Sequence, residues 1–216
     1  APKPDYGMYR PEDQAELLHH LILQRDLRRL TIVGHSLGGG IALLLALRLQ
    51  DESEGRLARL VIVAGAAYEQ RLPLFVALAR YRWIGIASFQ LLGARMVIRQ
   101  LLRSIVYDPA AVTDAQVEGY AAPLGTTGAL RALIDSALHL VPDQIDALNA
   151  RFPELDVPAL ILWGRHDRVV PMWVGERLLG ALPNASFHVF EKCGHIPAEE
   201  VHEESFARLT SFLDEG

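Results

Sequence analysis

The sequence predicts an α/β fold in which a parallel sheet is covered by helices on both faces. Three observations carry that prediction. Short apolar runs at 30–33, 60–64, 158–163 and 185–190 each end at a glycine or a polar turn, as strands buried on both faces do. Segments rich in helix-forming residues separate these runs. Half of the 216 residues are apolar, which suits one domain with a sizeable core rather than two.

Taken in order, the elements have local reasons. Pro11 opens an amphipathic helix whose first turn is acidic (Glu12, Asp13) and whose apolar face reads as Leu17, Leu18, Leu21 and Ile22. Arg28 and Arg29 separate it from the strand at 30–33. A helix from about 37 to 50 follows, then the polar turn 51–55 and the strand at 60–64, stopped by Gly65. Between 66 and 152 no run reads as a strand. Helical pieces there are broken at Pro73, Gly85, Gly93, Pro109, Pro123, Gly125, Gly128 and Pro142. That block is too long for a crossover and reads as an inserted helical lid. Strands resume at 158–163 and 185–190, with helices at about 172–182 and 203–213. The expected organisation is a core at 1–66 and 153–216 with a lid at 67–152.

Composition excludes several classes. Net charge is −5 and the isoelectric point is near 5.9, so nothing draws the chain to nucleic acid or to an anionic membrane. Cys193 is the single cysteine, so no internal disulfide forms, and it reads as a small loop filler. No signal peptide and no bilayer-length apolar stretch is visible, so a soluble cytoplasmic protein is the expectation.

Chemistry enters at Gly34-x-Ser36-x-Gly38, between the first strand and its helix. A serine on so tight a turn takes strained backbone angles. The expectation is that Gly34 and Gly38 lack side chains to avoid collision. The turn lifts the hydroxyl clear of the sheet, beside helix amides that can face a developing oxyanion. Serine needs a base, and eight histidines compete. His19 and His20 read as surface helix, His139 as lid, His188 as strand, and His202 as near the last helix. His35 adjoins the serine with its ring expected to point away. His166 is the serious competitor to His195, which follows the last strand at the sheet edge where ligands bind. Asp167 lies just past the end of the third strand and can hold one imidazole nitrogen while the other faces Ser36. Ser36, Asp167 and His195 are therefore the expected catalytic set.

These motifs resemble the α/β-hydrolase fold superfamily, in particular its lid-bearing serine esterases and meta-cleavage-product hydrolases. The residues that carry the resemblance are the run 34–39, the run 157–167 with Val170-Pro171, and Cys193-Gly194-His195 with Glu199-Glu200. Serine at position 36 sets the chain apart from haloalkane dehalogenases and epoxide hydrolases, which resemble it but place aspartate there. The resemblance implies that Ser36 attacks an acyl carbonyl, His195 takes its proton, and Asp167 orients the imidazole. The Leu37 amide is the implied oxyanion donor. No metal or organic cofactor is implied, and the implied partner is a small-molecule ester. The expected activity is hydrolysis of carboxylic esters of small to medium acyl chains through an acyl-enzyme. The alternatives are carbon–carbon hydrolysis of meta-cleavage-type diketone acids, and an inactive scaffold with an incomplete oxyanion hole.

The family's second oxyanion donor follows its third strand, and no such motif precedes residue 30. The N-terminal part of the sheet is therefore expected to lie outside this chain. The edge of strand 30–33 is expected to be covered by a missing N-terminal segment or by a second copy in a homodimer. Candidate pocket residues are His35, Phe75, Trp83, Phe89, Met96, Trp173 and Ile196. Arg95, Arg99 and Arg103 make a basic helical stripe, read as a solvated face with steering of an acidic substrate as the alternative.

Overall fold

The computed structural model describes residues 9–52, 54–71 and 81–215, with the backbone alone for 82–85. The described strands are β1 (Leu30–His35), β2 (Leu57–Val63), β3 (Ala159–Gly164) and β4 (Ala185–Phe190), ordered β1-β2-β3-β4 with every pairing parallel. Helices α1 (Pro11–Gln24) and α2 (Leu37–Asp51) flank β1 in sequence. Between β2 and β3 lie α3 (Arg82–Leu92), α4 (Ala94–Ile105), α5 (Asp114–Ala121), α6 (Ala129–Leu138) and α7 (Ile145–Ala150). The chain continues through α8 (Met172–Ala181), the short α9 (Pro197–Glu200) and α10 (His202–Asp214).

Side chains alternate across the sheet, and both faces are packed. Leu60, Ile62, Ile161 and Trp163 point to one face, where α2 contributes Leu43 and Leu47 and α8 contributes Val174 and Leu178. Val61, Val63, Leu160 and Leu162 point to the other, against Leu209 and Phe212 of α10. Two-sided burial explains why residues 60–63 of β2 and the whole of β3 read as unbroken apolar runs. A third cluster, Ile98, Leu102, Val106, Val117 and Ala121, lies within the helical insertion and takes in Ile196 from the core.

Helix α1 departs from the expected face. It buries Pro11, Ala15, His19 and Ile22, whereas Leu17, Leu18 and Leu21 are exposed. The buried stripe runs along spacings of three and four residues on the side facing α2, so the bulkier leucines project away from the contact. His19 is thus a buried side chain rather than a surface one, with Nε2 2.6 Å from Glu52 Oε1. The arginine stripe on α4 is largely engaged by α5. Arg95 pairs with Glu118 at 2.6 Å and Arg99 with Asp114 at 2.7 Å.

Candidate active site

Three loops at the C-terminal edge of the sheet build the site. Strand β1 delivers Ser36 at φ 55°, ψ −121°, a positive-φ turn that only tight surroundings hold in a non-glycine residue. Those surroundings are visible. A Cβ on Gly34 would lie 2.3 Å from the Gly38 carbonyl oxygen and 2.7 Å from Ala42 Cβ. On Gly39 it would lie 2.6 Å from Gly65 Cα, where α2 crosses the end of β2. Gly38 corrects the expectation: a Cβ there meets nothing within 4 Å, because the contact at that point is made by its carbonyl. The Ser36 carbonyl accepts from Gly39 N at 2.9 Å and Ala66 N at 2.9 Å, which fastens the turn to the end of β2.

The loop after β3 holds Asp167, its side chain fully shielded. Asp167 Oδ1 accepts from Val169 N (2.7 Å) and Val170 N (2.9 Å), leaving Oδ2 for His195. The loop after β4 brings in His195, also buried. Its Nδ1–H donates to Asp167 Oδ2 at 2.8 Å, and the Ser36 hydroxyl donates to Nε2 at 2.9 Å. This assignment of protons is the one that satisfies all three groups. The structure therefore brings Ser36, His195 and Asp167 into one hydrogen-bonded line. His166 points elsewhere, stacking at 4.7 Å on Tyr107.

Leu37 opens α2, so its amide belongs to the first turn, where N–H groups have no intrahelical acceptor. Ser36 and His195 open onto a cavity of about 250 Å³. Its walls are apolar: Leu101 and Ile105 from α4, Leu140 and Val141 after α6, and Val169 and Val170 after β3. Gln70 also lines it, and its buried Oε1 has no hydrogen-bond partner. No described lining residue is a lysine or arginine. Among the described residues no group of His, Cys, Asp or Glu is arranged to hold a metal ion, and no described helix is long and apolar enough to cross a membrane.

Most of the other expected pocket residues lie elsewhere. Met96 is exposed, and Phe89 is not among the lining residues. Ile196 packs into the apolar cluster of the insertion and is not among the lining residues. Trp173 is exposed and is not among the lining residues; its ring lies 6.3 Å from that of Tyr68, which does line the cavity. His35, expected to line the pocket, is not among the lining residues; its Nε2 donates to the His195 carbonyl at 2.7 Å. Loss of solvation around its ring lowers the His35 pKa, partly offset by that hydrogen bond. Phe75 and the Trp83 side chain lie outside the described residues. Cys193 is buried, and burial followed by the nearby Glu200 charge pushes its thiol pKa far up, which makes it inert. The lining residues from 101 to 145 had no sequence signal, since only the packing of several short helices turns them inward.

Known proteins align with this arrangement. The model of the alpha/beta hydrolase family matches residues 1–209. A 2-hydroxy-6-oxononadienedioate/2-hydroxy-6-oxononatrienedioate hydrolase of Paraburkholderia xenovorans is 33% identical over 208 residues, covering 93% of this chain and 67% of that protein. An uncharacterised hydrolase of Bacillus subtilis, YugF, is 26% identical over 95% of this chain and 73% of its own. Among solved structures, an esterase of Exiguobacterium antarcticum superposes with a TM-score of 0.77 at 21% identity, over 99% of this chain and 78% of that one. The meta-cleavage product hydrolase CumD of Pseudomonas fluorescens gives 0.78 at 24% identity, over 99% and 75%. The chain belongs to the alpha/beta hydrolase family and has its fold.

Proposed function

We propose that this hydrolase cleaves carboxylic esters with small to medium, uncharged acyl groups, using Ser36 as nucleophile. The observation that carries the reading is the line Ser36–His195–Asp167 opening onto an apolar cavity. Ser36 Oγ attacks the ester carbonyl carbon as His195 Nε2 takes the hydroxyl proton, and the Leu37 N–H stabilises the oxyanion. Collapse breaks the carbon–oxygen bond to the alcohol, which leaves with the proton held by His195. Water then attacks the acyl-enzyme, giving its proton to His195, and the acid departs as the Oγ–acyl bond breaks and His195 returns that proton to Ser36 Oγ. Asp167 keeps Nδ1 protonated and stabilises the imidazolium. The helices between β2 and β3 act as the lid over the acyl group.

Carbon–carbon hydrolysis is the second reading, favoured by the relatives' names. The substrate named for the Paraburkholderia relative is a dicarboxylate. Carboxylates taken from water into an apolar cavity need cationic partners. The described walls supply none, which favours the neutral ester. Gln70 leaves an amide for one polar group of the bound molecule.

The test compares nitrophenyl butyrate with a ring-fission diketone acid, alongside labelling by a fluorophosphonate. Labelling at Ser36 and faster turnover of the ester are expected. Ser36→Ala is expected to abolish labelling, and Asp167→Asn to lower kcat about 10⁴-fold through loss of the correct tautomer. Preference for the diketone acid would overturn the substrate assignment. An unlabelled wild type would leave an inactive scaffold.

A further inference from the structure

Glu200 ends α9, five residues after His195, and the backbone of the His195 loop converges on its carboxylate. Its Oε1 accepts from Gly194 N at 3.0 Å and from Ile196 N at 3.1 Å. Its Oε2 accepts from Gly194 N at 2.9 Å and from Tyr107 N at 2.6 Å. The residues on both sides of His195 are thus tied to one side chain, which also holds the chain just beyond α4. The opposite side of the loop is equally close-fitting. His195 N donates to the Ile105 carbonyl at 2.9 Å, and a Cβ on Gly194 would lie 2.4 Å from that same oxygen. Glu199, its neighbour, instead reaches α5, accepting from Gln116 Nε2 at 3.0 Å and from the Tyr120 hydroxyl.

We propose that Glu200 is the positioning residue that sets His195 Nε2 against Ser36 Oγ, and that it must be a carboxylate to do so. The role rests on reading Ser36 and His195 as nucleophile and base. Three backbone N–H groups from two segments point at this one side chain. A carboxylate offers an acceptor on each oxygen and no donor. A glutamine has the same shape but one acceptor oxygen, and its NH₂ would confront an N–H. The mismatch falls on the residues bracketing His195, so the imidazole loses its placement, whereas none of the three bonded residues lines the apolar cavity.

Wild type, Glu200→Gln and Glu200→Asp are compared for nitrophenyl butyrate kinetics, fluorophosphonate labelling of Ser36 and thermal melting. In Glu200→Gln, kcat and the labelling rate are expected to fall together by about 10- to 100-fold with KM within about twofold, the scale of a misplaced base. Glu200→Asp keeps both acceptors on a shorter arm and is expected between the wild type and Gln. A Gln variant with wild-type kcat overturns the proposal, as does a loss of rate that only tracks its unfolded fraction. Where the Gln variant is unfolded at the assay temperature, it is assayed below its melting temperature, and wild-type kcat per folded molecule there overturns the proposal equally. Failure of the wild type itself to label removes the nucleophile reading, and the positioning role with it.

Discussion

At Ser36 the backbone conformation and the chemistry are one feature. A non-glycine residue at φ 55° costs about 1–3 kcal/mol, and the hydrogen bonds from Gly39 and Ala66 to its carbonyl hold it there. The residues of the hydrogen-bonded line were readable because each follows a strand end, where the chain must turn and side chains project from the sheet edge. His35 was readable only as a neighbour of the serine. Its hydrogen bond to the His195 carbonyl places a neutral imidazole under the site, with a pKa below the ordinary 6.5. Between the lowered pKa and 6.5 the unfolded chain binds more protons than the folded one, so stability rises with pH across that window and falls on acidification. The melting temperature is therefore expected to drop as pH falls below about 6.5, and to drop less steeply in His35→Gln. Equal slopes for the two proteins would remove His35 from the acid response.

At the level of elements, the elbow depends on two helix residues meeting a strand end. Gly34→Ala forces a Cβ to within 2.3 Å of the Gly38 carbonyl oxygen, and is expected to destabilise the protein by about 1–3 kcal/mol or more. Gly38→Ala meets open space in a helix and is expected to be neutral or stabilising by up to about 1 kcal/mol. Urea unfolding of the two variants checks this, and equal losses would contradict it. The spacing of the two glycines was legible, but only the packing tells them apart. Strands β2 and β3 were legible because burial on both faces requires continuous apolar residues. The face of α1 was misread because a helix with leucines at several angles has no unique apolar side until its neighbour is in place. Here α2 selects Ala15, His19 and Ile22. The cavity walls were missed for the same reason, since they come from several short helices whose mutual packing has no period in the sequence.

Across the whole molecule, the sheet is closed by packing on its faces but not along β1. Among the described residues β2 is the only strand paired with it. Val33, opposite Val61, is 54% exposed, and Leu17, Leu18 and Leu21 are open on α1. Open strand edges with apolar neighbours pair with further polypeptide. The 216-residue polypeptide by itself is expected to sediment above its 23.9 kDa mass, and Val33→Lys to shift it towards monomer. A monomer that leaves the β1 amides unprotected from hydrogen exchange would contradict this. The sequence alone determined the α/β class, the apolar centre of each strand and the loops that carry Ser36, Asp167 and His195, while β2 begins three residues earlier, at Leu57, than its apolar run. Buried strands and the turns that end them are local patterns, imposed by hydrogen bonding and side-chain burial within a few residues. Only the tertiary structure decided the 2.8 and 2.9 Å bonds that align the trio, the apolar cavity whose described lining holds no lysine or arginine, and the convergence of three amides on Glu200. Each of these joins residues far apart in the chain, and their meeting depends on how separate elements pack.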